Sequence, residues 1–172
     1  MNLYFRLMFL RLRSRRRSRL DTWDTSLTPF RVVVSDLDIL GHVNNSKYLA
    51  IMDLARIDLM MRSGLWDKLR RRGWYPVVAG QTITYRKSLK LGQRFDVESR
   101  VLGMDDRWLY VQQIFRLGDT VSAHAVIRVR FLKRSGGAVE REEIEEFVGG
   151  FPERHHIPDW VGTWAVDTKD AF

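Results

Sequence analysis

The sequence predicts one α+β domain in which an antiparallel sheet packs one face against a single long helix. Three observations carry that prediction. A chain of 172 residues is long enough for one compact domain with its own core. Over about residues 46–62, Tyr48, Met52, Ala55 and Leu59 form a helical stripe that Leu49, Ile51, Leu54 and Met60 widen, so protein should enclose this helix on most sides. After Pro76 the chain alternates apolar and polar residues between short turns, which is the period of half-buried strands. A sheet with one face on one helix is a stable two-layer arrangement. The sheet is too small to cover the helix completely, and a second copy of the chain is the expected cover, as a homodimer or tetramer.

Residues 1–28 read as an extension. They are apolar first (Tyr4, Phe5, Leu7, Met8, Phe9, Leu10) and arginine-rich afterwards. A secretory signal runs in the opposite order, and no apolar run approaches the ~20 residues of a membrane-spanning helix. The expectation is a cytoplasmic protein. The segment has two readings: it docks on the protein's own surface, or residues 1–19 lie as a basic amphipathic stretch on an anionic membrane. Seven arginines precede the first acidic residue, Asp21, and they supply most of the net charge of +8. The rest of the chain is close to neutral, whereas a nucleic-acid-binding domain spreads its basic residues over a folded face. Nucleic acid is therefore not an expected partner.

The domain proper is expected over residues 29–148. Phe30, Val32 and Val34 alternate as a first strand beginning at Pro29, and a polar loop over 35–45 then leads into the long helix, with Asn44 or Asn45 as its N-cap. Gly64 ends that helix, and residues 65–72 make a second, short one. Strands follow over 77–86, over 95–101 (Phe95, Val97, Ser99 and Val101 on one face) and over 108–117. Gly118-Asp119 turns the chain tightly into a last strand. Ala123, Ala125, Ile127, Val129 and Phe131 line one face of it, with His124, Arg128 and Arg130 on the other. An acidic helix is expected over 140–147. Residues 149–172 form a tail without a nameable period.

The chemistry-bearing stretch is Asp36-Leu37-Asp38, then Gly41-His42-Val43-Asn44-Asn45, then Tyr48. It sets a carboxylate just ahead of a helix N-terminus, where free N–H groups and the helix dipole favour developing negative charge. Together with Asp53-Leu54-Ala55-Arg56 and Tyr85 ahead of Lys90-Leu91-Gly92, it resembles the hot-dog fold thioesterases of the 4-hydroxybenzoyl-CoA and acyl-CoA thioesterase superfamily, over about residues 29–133. The resemblance implies a long antiparallel sheet wrapped around one central helix. It also implies hydrolysis of an acyl-CoA or acyl-carrier-protein thioester to free acid and thiol, with Asp38 as general base or nucleophile. The Asn45 backbone N–H would polarise the carbonyl. Plant acyl-carrier-protein thioesterases resemble the stretch too, matching at Asp38 and His42 but not at Leu40, where they carry asparagine. His42 is therefore assigned, with Asn44, Tyr48 and Arg86, to substrate binding rather than to the bond-breaking step.

Each of these residues also has a structural reading. Asp38 can cap its loop, His42 can bond loop carbonyls, and both asparagines can cap the helix. Asp53, three residues before Arg56, reads as a paired structural acid. Arginines on strands are usually solvated. The chain has no cysteine, which excludes disulfides, thiolate metal sites and a cysteine nucleophile. It has no Gly-x-Ser-x-Gly elbow and no phosphate-binding glycine loop. His155-His156 lacks the companions of a metal site, and no cofactor is expected. The rival class is a non-catalytic protein of the same fold that binds an acyl thioester or works at a membrane surface.

Overall fold

The computed structural model describes residues 3–14, 16–153 and 155–168; Arg15, one of the seven N-terminal arginines, and the last four residues of the expected tail lie outside the described residues. In chain order the elements are helix α1 (Leu3–Ser14), strand β1 (Ser26–Arg31), a 3-10 turn (Val34–Asp36), helices α2 (Asn45–Arg62) and α3 (Leu65–Arg72), strands β2 (Trp74–Tyr85), β3 (Arg94–Met104), β4 (Leu109–Leu117) and β5 (Thr120–Lys133), and helices α4 (Arg141–Val148) and α5 (Asp159–Asp167). The five strands form one antiparallel sheet in the order β1-β3-β4-β5-β2. The sheet wraps around α2, as the hot-dog resemblance implies.

Helix α2 starts where Asn44 caps it. The Asn44 side-chain oxygen accepts from the Ser46 N–H at 2.9 Å, satisfying one of the first-turn donors that no helical carbonyl can reach. Asn45 is the first helical residue rather than a cap. Ile51, Met52 and Ala55 of α2 pack with Phe95 and Val97 of β3, Val111 and Phe115 of β4, and Ala125 and Ile127 of β5 in the main core. Each large apolar side chain buried there contributes about 1.5–3 kcal/mol.

Three sequence expectations change. The first strand does not begin at Pro29 and run through Val34. It lies earlier, because its inward face is polar: Ser26 and Thr28 are fully buried and both donate to Asp58 of α2, at 3.5 and 3.0 Å. The Asp36 carboxylate then accepts from the Val33 N–H at 3.0 Å and turns the chain out of the sheet, leaving Val34 exposed. The tail contains α5, whose Val161 packs with Leu102, Tyr110 and Val126 on the sheet face remote from α2. Arg128 is consequently buried rather than solvated. Its guanidinium lies 5.2 Å from the Trp108 ring and 5.3 Å from the Trp164 ring, and it donates to the Ala165 carbonyl at 3.3 Å.

Helix α1 docks along α2. Two ion pairs with buried carboxylates hold this region: Arg6 to Asp36 at 2.5 Å and, just past the helix, Arg17 to Asp58 at 2.9 Å. Asp58 also pairs with Arg62 at 3.5 Å, so one fully buried acid joins α2, β1 and the N-terminal segment.

Candidate active site

The loop ahead of α2 is a small closed structure. Leu37 bridges to Val43 and His42 to Lys90. Asp38 closes the turn between them: its N–H donates to the His42 carbonyl at 2.8 Å, and its carbonyl accepts from Gly41 at 3.1 Å. Gly41 has φ +75°, a conformation that glycine reaches without steric cost. One carboxylate oxygen of Asp38, Oδ1, accepts from the backbone N–H groups of Leu40 (2.9 Å) and His42 (3.2 Å). The other, Oδ2, has no hydrogen-bond partner among the described residues. The side chain is half-buried. This geometry combines the structural reading with a chemical one, because the oxygen that caps the loop fixes the direction of the oxygen left over.

The loop is tied to α2 through Asp36, whose carbonyl accepts from the Asn44 N–H at 2.9 Å. Past the cap, the Asn45 N–H donates to no described residue. It stands at the positive end of an 18-residue helix, where a developing oxyanion is stabilised. Asn44 uses its side-chain oxygen on the N–H and hydroxyl of Ser46. The half-buried His42 imidazole makes no hydrogen bond to a described residue. Tyr48 is buried in the core, its ring 5.0 Å from that of Tyr85 and 4.9 Å from that of Phe115. Burial, and secondarily the nearby Tyr48, raises the Tyr85 pKa. Arg86 is exposed just past the end of β2. Asp38, His42, Asn44 and Asn45 thus come together at the start of α2, with Tyr48 one turn below and Arg86 at the sheet edge.

A second feature lies further along α2. A cavity of about 460 Å³ runs between its second half, α3, α4 and the inner sheet, with Trp66, Leu69, Trp74, Phe131, Ile144 and Phe147 among its walls. None of the six predicted site residues lines it. Asp53 and Arg56 do, and they form an ion pair. Arg56 is buried, which lowers its pKa, and it also donates to Gln113 at 2.7 Å; the Gln113 amide in turn donates to the Met52 carbonyl and to Ser99. The Asp53–Arg56 pair was expected from the sequence, but the link from Arg56 to Gln113 and Ser99 was missed. Its signal was Gln113, a polar side chain at inward parity between Val111 and Phe115 on β4, which requires a buried partner. No group of histidine and acidic side chains among the described residues could hold a metal ion.

Residues 32–165 match the family model described as thioesterase-like superfamily. The chain is 45% identical to Protein THEM6 of Xenopus laevis over 132 residues, covering 76% of this chain and 64% of that protein. It is 28% identical to a probable thioesterase of Saccharomyces cerevisiae over 135 residues, covering 76% of this chain and 56% of that one. The matched part is thus less than two thirds of either relative's own length. Among solved structures, the probable thioesterase YbaW of Escherichia coli superposes with a TM-score of 0.67 at 25% identity, over 71% of this chain and 95% of that one. With the sheet-wrapped helix and the loop ahead of it, these matches establish that the chain belongs to the thioesterase-like superfamily and has the hot-dog fold.

Proposed function

We propose that the protein is an acyl-CoA thioesterase that hydrolyses an acyl thioester to free acid and thiol. One observation carries this reading: the Asp38 carboxylate is fixed by its own loop just ahead of a helix whose first amide has no acceptor among the described residues. In the general-base route, Oδ2 of Asp38 takes a proton from water as the water oxygen attacks the carbonyl carbon. The carbonyl π electrons move onto oxygen, where the Asn45 N–H and the helix dipole hold them. The intermediate collapses by breaking the C–S bond, and the departing thiolate takes the proton back from Asp38. In the nucleophilic route, Oδ2 attacks the carbonyl itself, the thiolate leaves, and water hydrolyses the mixed anhydride. Either way the carboxylate is regenerated, and the reading assigns no metal or organic cofactor. His42, Asn44 and Tyr48 flank the reacting group, and Arg86 is assigned to the phosphates of coenzyme A or of a carrier protein's pantetheine arm. The acyl chain is assigned to the apolar space along α2.

The reading includes a second copy of the chain. Strand β2 is a sheet edge with Tyr75, Val78 and Tyr85 exposed by 41%, 46% and 41%. An edge of this length calls for pairing, and β2 against β2 of a partner would continue the sheet. Light scattering is expected to give at least a dimer at micromolar concentration; a stable monomer overturns this part of the proposal.

The rival reading is a non-catalytic acyl-thioester-binding protein. It is favoured by the separation of the cavity from Asp38, which share no lining residue within one chain. Hydrolysis measured over a series of acyl-CoA and acyl-carrier-protein thioesters decides between them. Turnover that Asp38→Asn abolishes supports the enzyme. Tight binding with no turnover on any chain length supports the binding protein.

A further inference from the structure

Helix α1 is amphipathic in the opposite sense from a helix held by its apolar face. The side turned to the body carries Arg6, Leu10 and Ser14; Leu10 and Ser14 are buried, and Arg6 is spent on Asp36. The side turned outward carries Tyr4, Phe5, Met8, Phe9 and Leu12, exposed by 58–78%. At 100° per residue, Tyr4, Met8 and Leu12 stack in one row and Phe5 and Phe9 in the next. They form one continuous apolar band. Contiguous exposed apolar surface of this kind marks an interaction site.

The surroundings of the band identify its partner by charge. Arg11, Arg13, Arg16 and Arg19 are all exposed around it, and no acidic residue precedes Asp21. The body extends the same chemistry with basic residues in excess, since Phe5 and Phe9 share an open groove with Pro29, Phe30, Arg31 and Arg94, where Asp96 is the one acid among its lining residues. Arg31 and Arg94 stand directly opposite each other on β1 and β3. Like charges so placed repel one another, and the single carboxylate of Asp96 beside them leaves the pair one positive charge in excess. An apolar band ringed by arginines fits a surface that is anionic outside and apolar just beneath.

We propose that the outward face of α1 seats on the surface of an anionic lipid bilayer. The five apolar side chains enter the headgroup–acyl boundary while the arginines meet lipid phosphates and carboxylates. No helix among the described residues is long and apolar enough to cross a membrane, so the contact lies in the plane of the surface. Because Arg6 bonds Asp36, whose carbonyl holds the N-terminus of α2, the membrane-seated helix is fixed to the loop that carries Asp38. This proposal stands independently of whether that loop hydrolyses anything.

The test is co-sedimentation of the full chain with vesicles of phosphatidylcholine alone or mixed with phosphatidylserine. Binding to the anionic vesicles should exceed binding to the neutral ones by at least tenfold and should fall steeply as salt is raised. The variant Phe5→Ser/Met8→Ser/Phe9→Ser and the variant Arg11→Gln/Arg13→Gln/Arg16→Gln should each lose most of that binding while keeping the parent's melting midpoint. A third variant, Met8→Trp, keeps the face apolar. Its added fluorescence, taken as the difference from the parent, should move to the blue with anionic vesicles only. Equal binding to both vesicle types, undiminished binding by either triple variant, or no shift in Met8→Trp overturns the proposal. It is also overturned if the apolar triple variant lowers the mass in light scattering and the parent ignores vesicles, which assigns the face to a second copy.

Discussion

The two ends of α2 are made of opposite material. At its start, backbone hydrogen bonds and short polar side chains hold one carboxylate in one direction, and none of the residues that hold it lines the cavity. Along its second half, tryptophans, leucines and phenylalanines enclose a cavity of about 460 Å³ with a single ion pair on its wall. A reacting carbonyl needs fixed dipoles within hydrogen-bond reach, whereas an acyl chain needs volume and dryness. The helix carries both and keeps them apart: its first turn supplies the dipole, and its later turns supply a wall. In the proposed reading, one substrate lies along it with the thioester at the start.

The most direct way to break this division is Asp38→Asn. The amide oxygen can still accept from Leu40 and His42, so the loop should survive, but the side chain can neither take a proton from water nor attack a carbonyl. The expected loss in kcat is about 10²–10⁴-fold with little change in KM. Wild-type kcat in this variant would place the chemistry elsewhere. Asp36→Asn is not a neutral control, because Asp36 is buried and pairs with Arg6. Its expected cost falls on loop stability.

Much of the first region was legible in the sequence, and much of the second was not. The Asp38 loop and the Asn44 cap are local: their partners lie within a few residues, so spacing alone predicts them. The same holds for α3, bounded by Gly64 and Gly73. The cavity is built from residues 22–148, brought together by sheet register that no short pattern encodes. The first strand was misplaced because hydrophobic alternation cannot see a polar inward face satisfied by Asp58. The tail helix α5 escaped because its one buried apolar residue, Val161, leaves no period to read.

Asp58 gives the next largest effect. It is fully buried and accepts from Arg17, Thr28 and Ser26 while pairing with Arg62. Asp58→Ala leaves the buried Arg62 without a counter-ion, with only the neutral acceptors of Ser18 and Ser26 to bond. Breaking a buried pair in this way costs about 3–5 kcal/mol, measurable by denaturant unfolding, while kcat per folded molecule should hold because the proposed catalytic end is untouched. A parallel fall in kcat would show that the two ends of α2 are coupled. Deleting residues 1–19 would remove Arg6 and Arg17 together and confound stability with membrane contact, so substitution on the outer face of α1 is the cleaner probe.

Filling the cavity sharpens the comparison from the other side. Met60→Trp adds volume at the wall and should shorten the acyl chain that fits. In an apolar pocket one methylene is worth about 1–3 kcal/mol, so KM for the longest accepted chain should rise about tenfold while kcat on short chains stays put. An unchanged chain-length profile would remove the cavity from the substrate path.

The smallest expected effect separates the pH dependence of stability from that of catalysis. His124 lies on the sheet face remote from α2, packed edge-on against Trp160 with ring centroids 6.0 Å apart. Burial lowers its pKa below the ordinary histidine value, and Arg86 and Arg100 push it the same way. Its Nε2 lies 2.8 Å from the Gln112 amide nitrogen, an arrangement that suits a neutral ring accepting from the amide. A proton there would set donor against donor. Unfolded, the histidine takes its proton near pH ~6.5; folded, it does so only at lower pH. Between those values the unfolded chain binds more protons, so the stability His124 contributes is complete above the unfolded pKa and is lost as pH falls through the folded one. His124→Gln should therefore flatten the decline in stability on the acid side of about pH 6.5 and leave the slope of stability with pH unchanged above about pH 7. Urea unfolding of parent and variant across that range measures it, and an identical acid slope in both would remove His124 as its source. With that slope assigned to the outer sheet face, any acid-side loss of kcat that persists in His124→Gln has its source elsewhere in the molecule.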